Sequence, residues 1–329
     1  MNVAISEPVA AGACTTSRAS RFPLGKTFAF TVFDDTDNST VENVGPVYRL
    51  IEELGLRTTK SVWPLSNVGC GRFLRTATLQ DSDYLAFVQQ LRGQGFEISL
   101  HGVCNHHATR DVVWVGMQEF IRLIGEYPRS YSNHSFNREN IYWGAERFTR
   151  TVPKLCYKAA ALARRAKVGK FEGQMPGSAH FWGDICRQYI KYVRNFVFNE
   201  INLDRVNPTL PFHDPRKPFV NYWFSSSLGA DVSSFCNTVS EANQDRLESE
   251  GGVCIIYTHF SKGFYDGGVL NPRFESLLRR LAAKNGWFVT VSELLDFLLT
   301  TRQEATVPAA ELATMEKRWI LWKLRAGPS

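Results

Sequence analysis

The sequence predicts an α/β fold, a closed or nearly closed barrel of parallel strands with an elaborated middle segment. Three observations predict it. Short apolar runs alternate with stretches of helical periodicity, the pattern of parallel βαβ units. Three of those runs end directly in Asp or His, where parallel α/β folds collect reactive groups. No Gly-x-Gly-x-x-Gly follows the first run, which favours a closed or nearly closed barrel over an open dinucleotide-binding sheet.

The elements follow in order. "TFAFTVF" (27–33) reads as a buried strand, and "TVENVGPVYRLIEELG" as a helix with Val41, Val44, Tyr48, Ile51 and Leu54 at helical spacing. "RTTKSVW" (57–63) is the next strand. "SDYLAFVQQLRGQG" (82–95) is the next helix, capped by Asp81 or Ser82 and stopped by Gly95. "FEISL" (96–100) runs straight into His101. Between about 105 and 218 the pattern loosens into a long aromatic-rich stretch holding a basic helix at 154–166. Alternation returns with "FVNYWFSS" (219–226), a helix near 238–249, and "GVCIIYTHF" (252–260). A helix from Pro272 to about Lys284 with Asn271 as cap comes next, then "WFVTV" (287–291) and a last helix to about Leu299.

Around this barrel domain (26–300) the sequence places a flexible arm at 1–25 and an amphipathic helical tail at 301–329. Composition is that of a globular protein, 44% hydrophobic and 21% charged, which excludes wholesale disorder. The 38 basic and 32 acidic residues leave +6, suited to an anionic substrate or membrane surface, and no nucleic-acid motif accompanies them. Seven cysteines without a C-x-x-C argue for free thiols in a reducing compartment. With no signal-peptide pattern and no apolar run approaching the ~20 residues of a membrane span, the expected location is cytoplasmic.

The chemistry sits at the strand ends: Asp34–Asp35, His101 with His106–His107 just beyond it, and His259. An Asp and two His can hold a divalent ion and leave a position open for water. Such an ion acidifies water and polarises a carbonyl, while a second carboxylate and a histidine exchange protons. Adjacent acids on an extended strand point to opposite sides, so one can bind metal while the other faces substrate. Asp34, Asp35 and Asp37 also read as a turn or helix cap, and His180 and His213 as structural histidines.

At these residues the sequence resembles the polysaccharide deacetylases, carbohydrate esterase family 4. "TVFDDTD" looks like the family's T-F-D-D signature, "SLHGVCNHH" is similar to its H-x-x-x-H metal motif, and "IIYTHF" resembles its late histidine motif. The resemblance covers about residues 26–300. It implies a distorted (β/α) barrel of about seven strands and hydrolysis of an N-acetyl group from a sugar, with Asp34 as base, Asp35, His101 and His106 as ligands of one divalent ion, zinc (Zn2+) being expected, and His259 as general acid. The family spaces its histidines i,i+4; here they stand at i+5 and i+6, so His106 needs a one-residue bulge and His107 is its rival. The family's R-x-P-Y-G motif has no counterpart. "YSNHSFNRENIYWG" (131–144) occupies its place and offers Asn133, His134, Asn137, Arg138 and Trp143 as substrate-binding residues.

The expected partner is an N-acetylated sugar or glycan intermediate of surface-glycan synthesis, with no nucleic acid. Peripheral membrane contact would run through the basic helix, with Lys154, Lys158, Arg164, Arg165 and Lys167, or through the tail's Trp319, Ile320, Leu321 and Trp322. Two alternatives stay open: hydrolysis of a non-sugar amide on the same barrel, and an inactive glycan-binding or scaffold homologue.

Overall fold

Every residue of β1 (Phe28–Asp34) is buried, which is why its sequence is apolar but for Thr31 and the terminal Asp34. In the computed structural model, which describes residues 21–66, 76–163, 169–302 and 305–326, this strand is the centre of the sheet. The expected arm lies almost wholly outside the described residues, as do Arg164, Arg165 and Lys167 of the basic helix.

One edge of β1 pairs with β7 (Val253–Thr258) along its length. The other edge is shared: its first half pairs with β10 (Gly286–Phe288) and its last two residues with β2 (Thr59–Val62). From β2 the ring continues in parallel through β3 (Glu97–Leu100), β4 (Ser130–Tyr131), β5 (Tyr192–Phe198) and β6 (Tyr222–Gly229) to β7. Seven parallel strands thus close a barrel, the fold class expected from the sequence. A short hairpin, β8 (Tyr265–Asp266) and β9 (Val269–Leu270), stands apart from it.

Helices cover the outside. α1 (Val41–Glu53) starts at a capping box in which Thr40 and Asn43 satisfy each other's backbone N–H groups. α2 (Ser82–Gly93) has Asp81 at its N-cap. The supposedly irregular middle contains α3 (Arg110–Ile124), α4 (Thr151–Ala163) and α5 (Gly183–Tyr189) as well as β4 and β5. β4 is two residues long, and β5 carries Arg194 and Asn195 in its middle, so neither shows an apolar run. α3 does have a buried stripe at helical spacing, Val113, Met117, Phe120 and Ile124, which periodicity alone could have identified. α6 (Val232–Thr238), α7 (Glu241–Glu250) and α8 (Pro272–Ala282) follow, the last capped by Asn271 as expected.

α9 (Val291–Thr301) docks its first turn at the N-terminal end of the barrel strands. Glu97 accepts from Ser292 N at 2.9 Å, and Thr59 Oγ1 accepts from Val291 N at 2.9 Å. α10 (Ala309–Ala326) packs beside α4 and β5, burying Trp319 against Phe148, Phe196 and Tyr157. With the N-terminal end occupied in this way, the strand C-termini form the other mouth.

Candidate active site

At that mouth the backbone leaving β1 makes a tight turn. Asp35 N still donates to Thr258 O at 2.8 Å, so the β1–β7 ladder extends one residue past the strand. Ser39 N then donates back to Thr36 O at 2.9 Å, with Asn38 in the left-handed region at φ 59°. Asn tolerates that conformation better than most residues. Asn43 Nδ2 and Thr76 Oγ1 pin Asn38 at both backbone polar groups. The turn carries Asp37 back over the mouth.

Three imidazoles converge on the Asp37 carboxylate. His134 Nε2 is 3.1 Å from Oδ1, His259 Nε2 is 3.0 Å from Oδ2, and His101 Nε2 is 3.7 Å from Oδ2. Asp37, His101 and His134 bring ligand atoms within 4.8 Å of one another, and all three residues are buried. Burial alone would raise the Asp37 pKa, but His101, followed by hydrogen bonds from His134 and His259, holds it well below the usual carboxylate range.

Asp35 stands beside this cluster, bound by Arg194 through two parallel contacts of 2.9 and 2.5 Å. Its pKa is also lowered: burial opposes this, and the Arg194 charge and then His101 outweigh it. Ser132 joins the two groups, with Oγ 3.0 Å from Asp35 Oδ1 and 2.6 Å from His101 Nδ1. An ionised carboxylate only accepts, so the serine proton goes to Asp35 and His101 Nδ1–H donates to Ser132 Oγ. That tautomer leaves the lone pair of His101 on Nε2, on the side of Asp37. Trp63 fixes the same histidine from behind, its Nε1 donating to His101 O at 2.7 Å and its ring parallel to the imidazole.

Asp34 points elsewhere. Its carboxylate accepts from Lys60 Nζ at 2.8 Å, Tyr48 Oη at 3.0 Å and Phe260 N at 2.9 Å. Alternation along the strand separates Asp34 from Asp35 as expected: Asp35 faces the histidines, and Asp34 is sealed against α1 and β2 rather than open to the mouth. Through Phe260 N it still fixes the backbone next to His259. His259 Nδ1 donates to Ala230 O at 2.7 Å, which leaves Nε2 to face Asp37.

The remaining expected site residues divide. Of the ligand set Asp35, His101 and His106, only His101 belongs to the Asp37–His101–His134 group. His106 Nδ1 lies 2.9 Å from Cys104 Sγ, and His107 Nδ1 accepts from Arg138 N at 3.3 Å. In the 131–144 segment, His134 enters the cluster. Asn133 is exchanged with the backbone of Ile141, Asn137 holds the 104–106 loop through Cys104 O and His106 O, and Arg138 is bound by Glu172. Trp143 lies over the guanidinium of Arg147. Asp37 and Arg194 were not identified as site residues from the sequence. The available sign was the pair Arg194–Asn195 inside the otherwise apolar "YVRNFVF".

No family model matches the sequence, and no curated protein matches it. Among solved structures the chain is similar to PuuE allantoinase, with 12% identity, a TM-score of 0.48, and 91% of this chain and 99% of that one covered. It is also similar to a probable polysaccharide deacetylase from Pseudomonas aeruginosa PAO1, with 11% identity, a TM-score of 0.46, and coverage of 82% and 89%. A third is a variant of the peptidoglycan deacetylase PdaC from Bacillus subtilis, with 10% identity, a TM-score of 0.38, and coverage of 84% and 93%.

Proposed function

We propose that the protein is a metal-dependent hydrolase that removes an N-acetyl group from a sugar, with its site at the C-terminal mouth of the barrel. The observation that carries this reading is the convergence of Asp37, His101 and His134 beside the Asp35–Arg194 pair. The motif resemblance at 31–37, 99–107 and 255–260 supports the choice of an acetylated sugar.

Asp37, His101 and His134 would hold one divalent cation. An oxygen and two imidazole nitrogens suit zinc, and the Nδ1–H to Ser132 hydrogen bond fixes His101 in the ligating tautomer. When bound, the ion supplies Lewis acidity, lowering the pKa of water and polarising the acyl oxygen. Asp35 takes the proton of the attacking water. Arg194 keeps that carboxylate ionised and fixes its orientation, so an acceptor is in place before the reaction begins. His259, with Nδ1 committed to Ala230 O, is oriented to deliver a proton from Nε2 to the leaving nitrogen as the C–N bond breaks. A cytoplasmic location fits the five described cysteines, all of which are free thiols.

The test is acetate release from N-acetylated sugars by zinc-loaded protein. Asp35→Asn should retain the metal and lose roughly 100-fold or more in rate, the usual share of a general base. Turnover that survives both chelation and this substitution would defeat the reading.

A further inference from the structure

Arg147 is 5% exposed, yet no carboxylate among the described residues pairs with it. Its guanidinium lies between two indoles, with Cζ 3.9 Å from the ring centroid of Trp143 and 4.5 Å from that of Trp319. Nε is buried without a hydrogen-bond partner. Ring faces cover the guanidinium above and below, but its N–H donors lie in the plane, between the rings. They remain to be satisfied from the edge.

Two buried carboxylates, Asp214 and Glu316, stand in the surroundings, and neither pairs with Arg147. Lys217 Nζ is spent on the carbonyl of Arg147 itself, at 2.6 Å, and stands 3.8 Å from Asp214, which also pairs with Arg216. Lys323 Nζ reaches the same indole, 5.7 Å from the Trp319 centroid. Glu316, the nearby acid on α10, accepts from Thr149 N and Oγ1 through Oε1, while its Oε2 is buried without a hydrogen-bond partner. All three cations are easier to deprotonate than usual. Burial is the first cause each time: Arg147 falls to about 10, with Arg194 repelling it, and Lys217 and Lys323 to about 8, with Arg147 repelling both. The two tryptophan faces offset part of the cost of burying the guanidinium. Among the described residues no anion pairs with Arg147 itself.

We infer that Arg147, between Trp143 and Trp319 and backed by Lys217 and Lys323, is a binding site for an oxyanion, a phosphate or carboxylate group. The planar fork suits two oxygens of either. Trp143 is partly exposed and is the side from which the ligand enters, whereas Trp319 is fixed in the core. The preceding Tyr142 is held at φ 47°, a conformation uncommon for an aromatic residue, which sets the Trp143 ring over the guanidinium. Arg147 shares no contact with Asp37, His101 or His134 among the described residues, although Arg194 is near enough to repel it, and the assignment does not rest on the hydrolase reading.

The experiment needs no substrate. Full-length protein is titrated with inorganic phosphate and, separately, acetate, and read by tryptophan fluorescence and by thermal unfolding. A saturable response with a dissociation constant on the order of 1 mM or tighter is expected, phosphate being the stronger ligand if the source is a phosphoryl group and acetate if it is a carboxylate. Arg147→Met should weaken that response at least tenfold. In anion-free buffer the same variant should be as stable as the parent or more so, because it removes a buried cation without a counter-charge. His101→Ala should leave the response intact. Absence of a saturable response to both anions, an undiminished response in Arg147→Met, or a clear loss of stability in that variant would overturn the assignment.

Discussion

Arg194 holds both oxygens of Asp35 although 159 residues separate the two, and this contact decides which of the adjacent acids faces the histidines. Both side chains are almost fully buried, so each is the other's counter-charge. Arg194→Met should destabilise the fold by about 3–5 kcal/mol by leaving a buried carboxylate alone. Adding Asp35→Asn should recover part of that loss, measured as a double-mutant cycle in urea.

Metal content separates the two possible ligand sets. Asp37→Ala and His134→Ala should each abolish retention of zinc on equilibrium dialysis, since two remaining ligands bind weakly. His106→Ala and Asp35→Asn should keep a stoichiometric ion. The opposite pattern would restore Asp35 and His106 as ligands.

Ser132 acts on His101 through its ring orientation. Ser132→Ala removes the acceptor for Nδ1–H, so zinc affinity should fall about 10- to 100-fold with the fold unchanged. Competition with a chromophoric chelator measures it, and unchanged affinity would show that the tautomer is fixed by Ser132 O instead, 3.3 Å away.

Glu139 is a buried acid whose pKa is pushed up to about 7 by desolvation, against hydrogen bonds from Ala108 N and Asn137. The folded state therefore binds a proton that the unfolded state has lost. Its stabilising contribution is complete below about pH 4.5 and disappears as the pH rises through about 7. Over that interval metal-free protein should lose up to about 3 kcal/mol from this group. Glu139→Gln should flatten that part of the stability–pH curve.

Glu316 fastens α10 to the loop before α4 by accepting from Thr149 N and Oγ1. Glu316→Ala should cost about 2 kcal/mol by orphaning those donors and should raise solvent quenching of Trp319. Unchanged quenching would mean that packing alone retains the helix.

The barrel was legible because its causes are local. Period-2 and period-3.6 patterns, caps such as Asp81 and Asn271, and polar residues at the ends of apolar runs are all written within a few neighbouring positions. His101 and His259 could be read as strand-end groups for that reason. β4 and β5 could not be read in the same way: one is too short for a pattern, and the other spends its central positions on the site.

By itself, then, the sequence determined the α/β barrel and the gathering of acids and histidines at the C-terminal ends of its strands. Tertiary structure alone decided the partners. Strand alternation fixes that Asp34 and Asp35 diverge, but only the placement of Lys60 and Arg194 fixes which of them is sealed away. The turn at Asn38 returns Asp37 to the mouth, while Cys104 takes His106 and the loop after β4 delivers His134 in its place. Each of these outcomes depends on groups brought together by closure of the ring, and contacts between residues far apart in the chain leave no periodic trace in it.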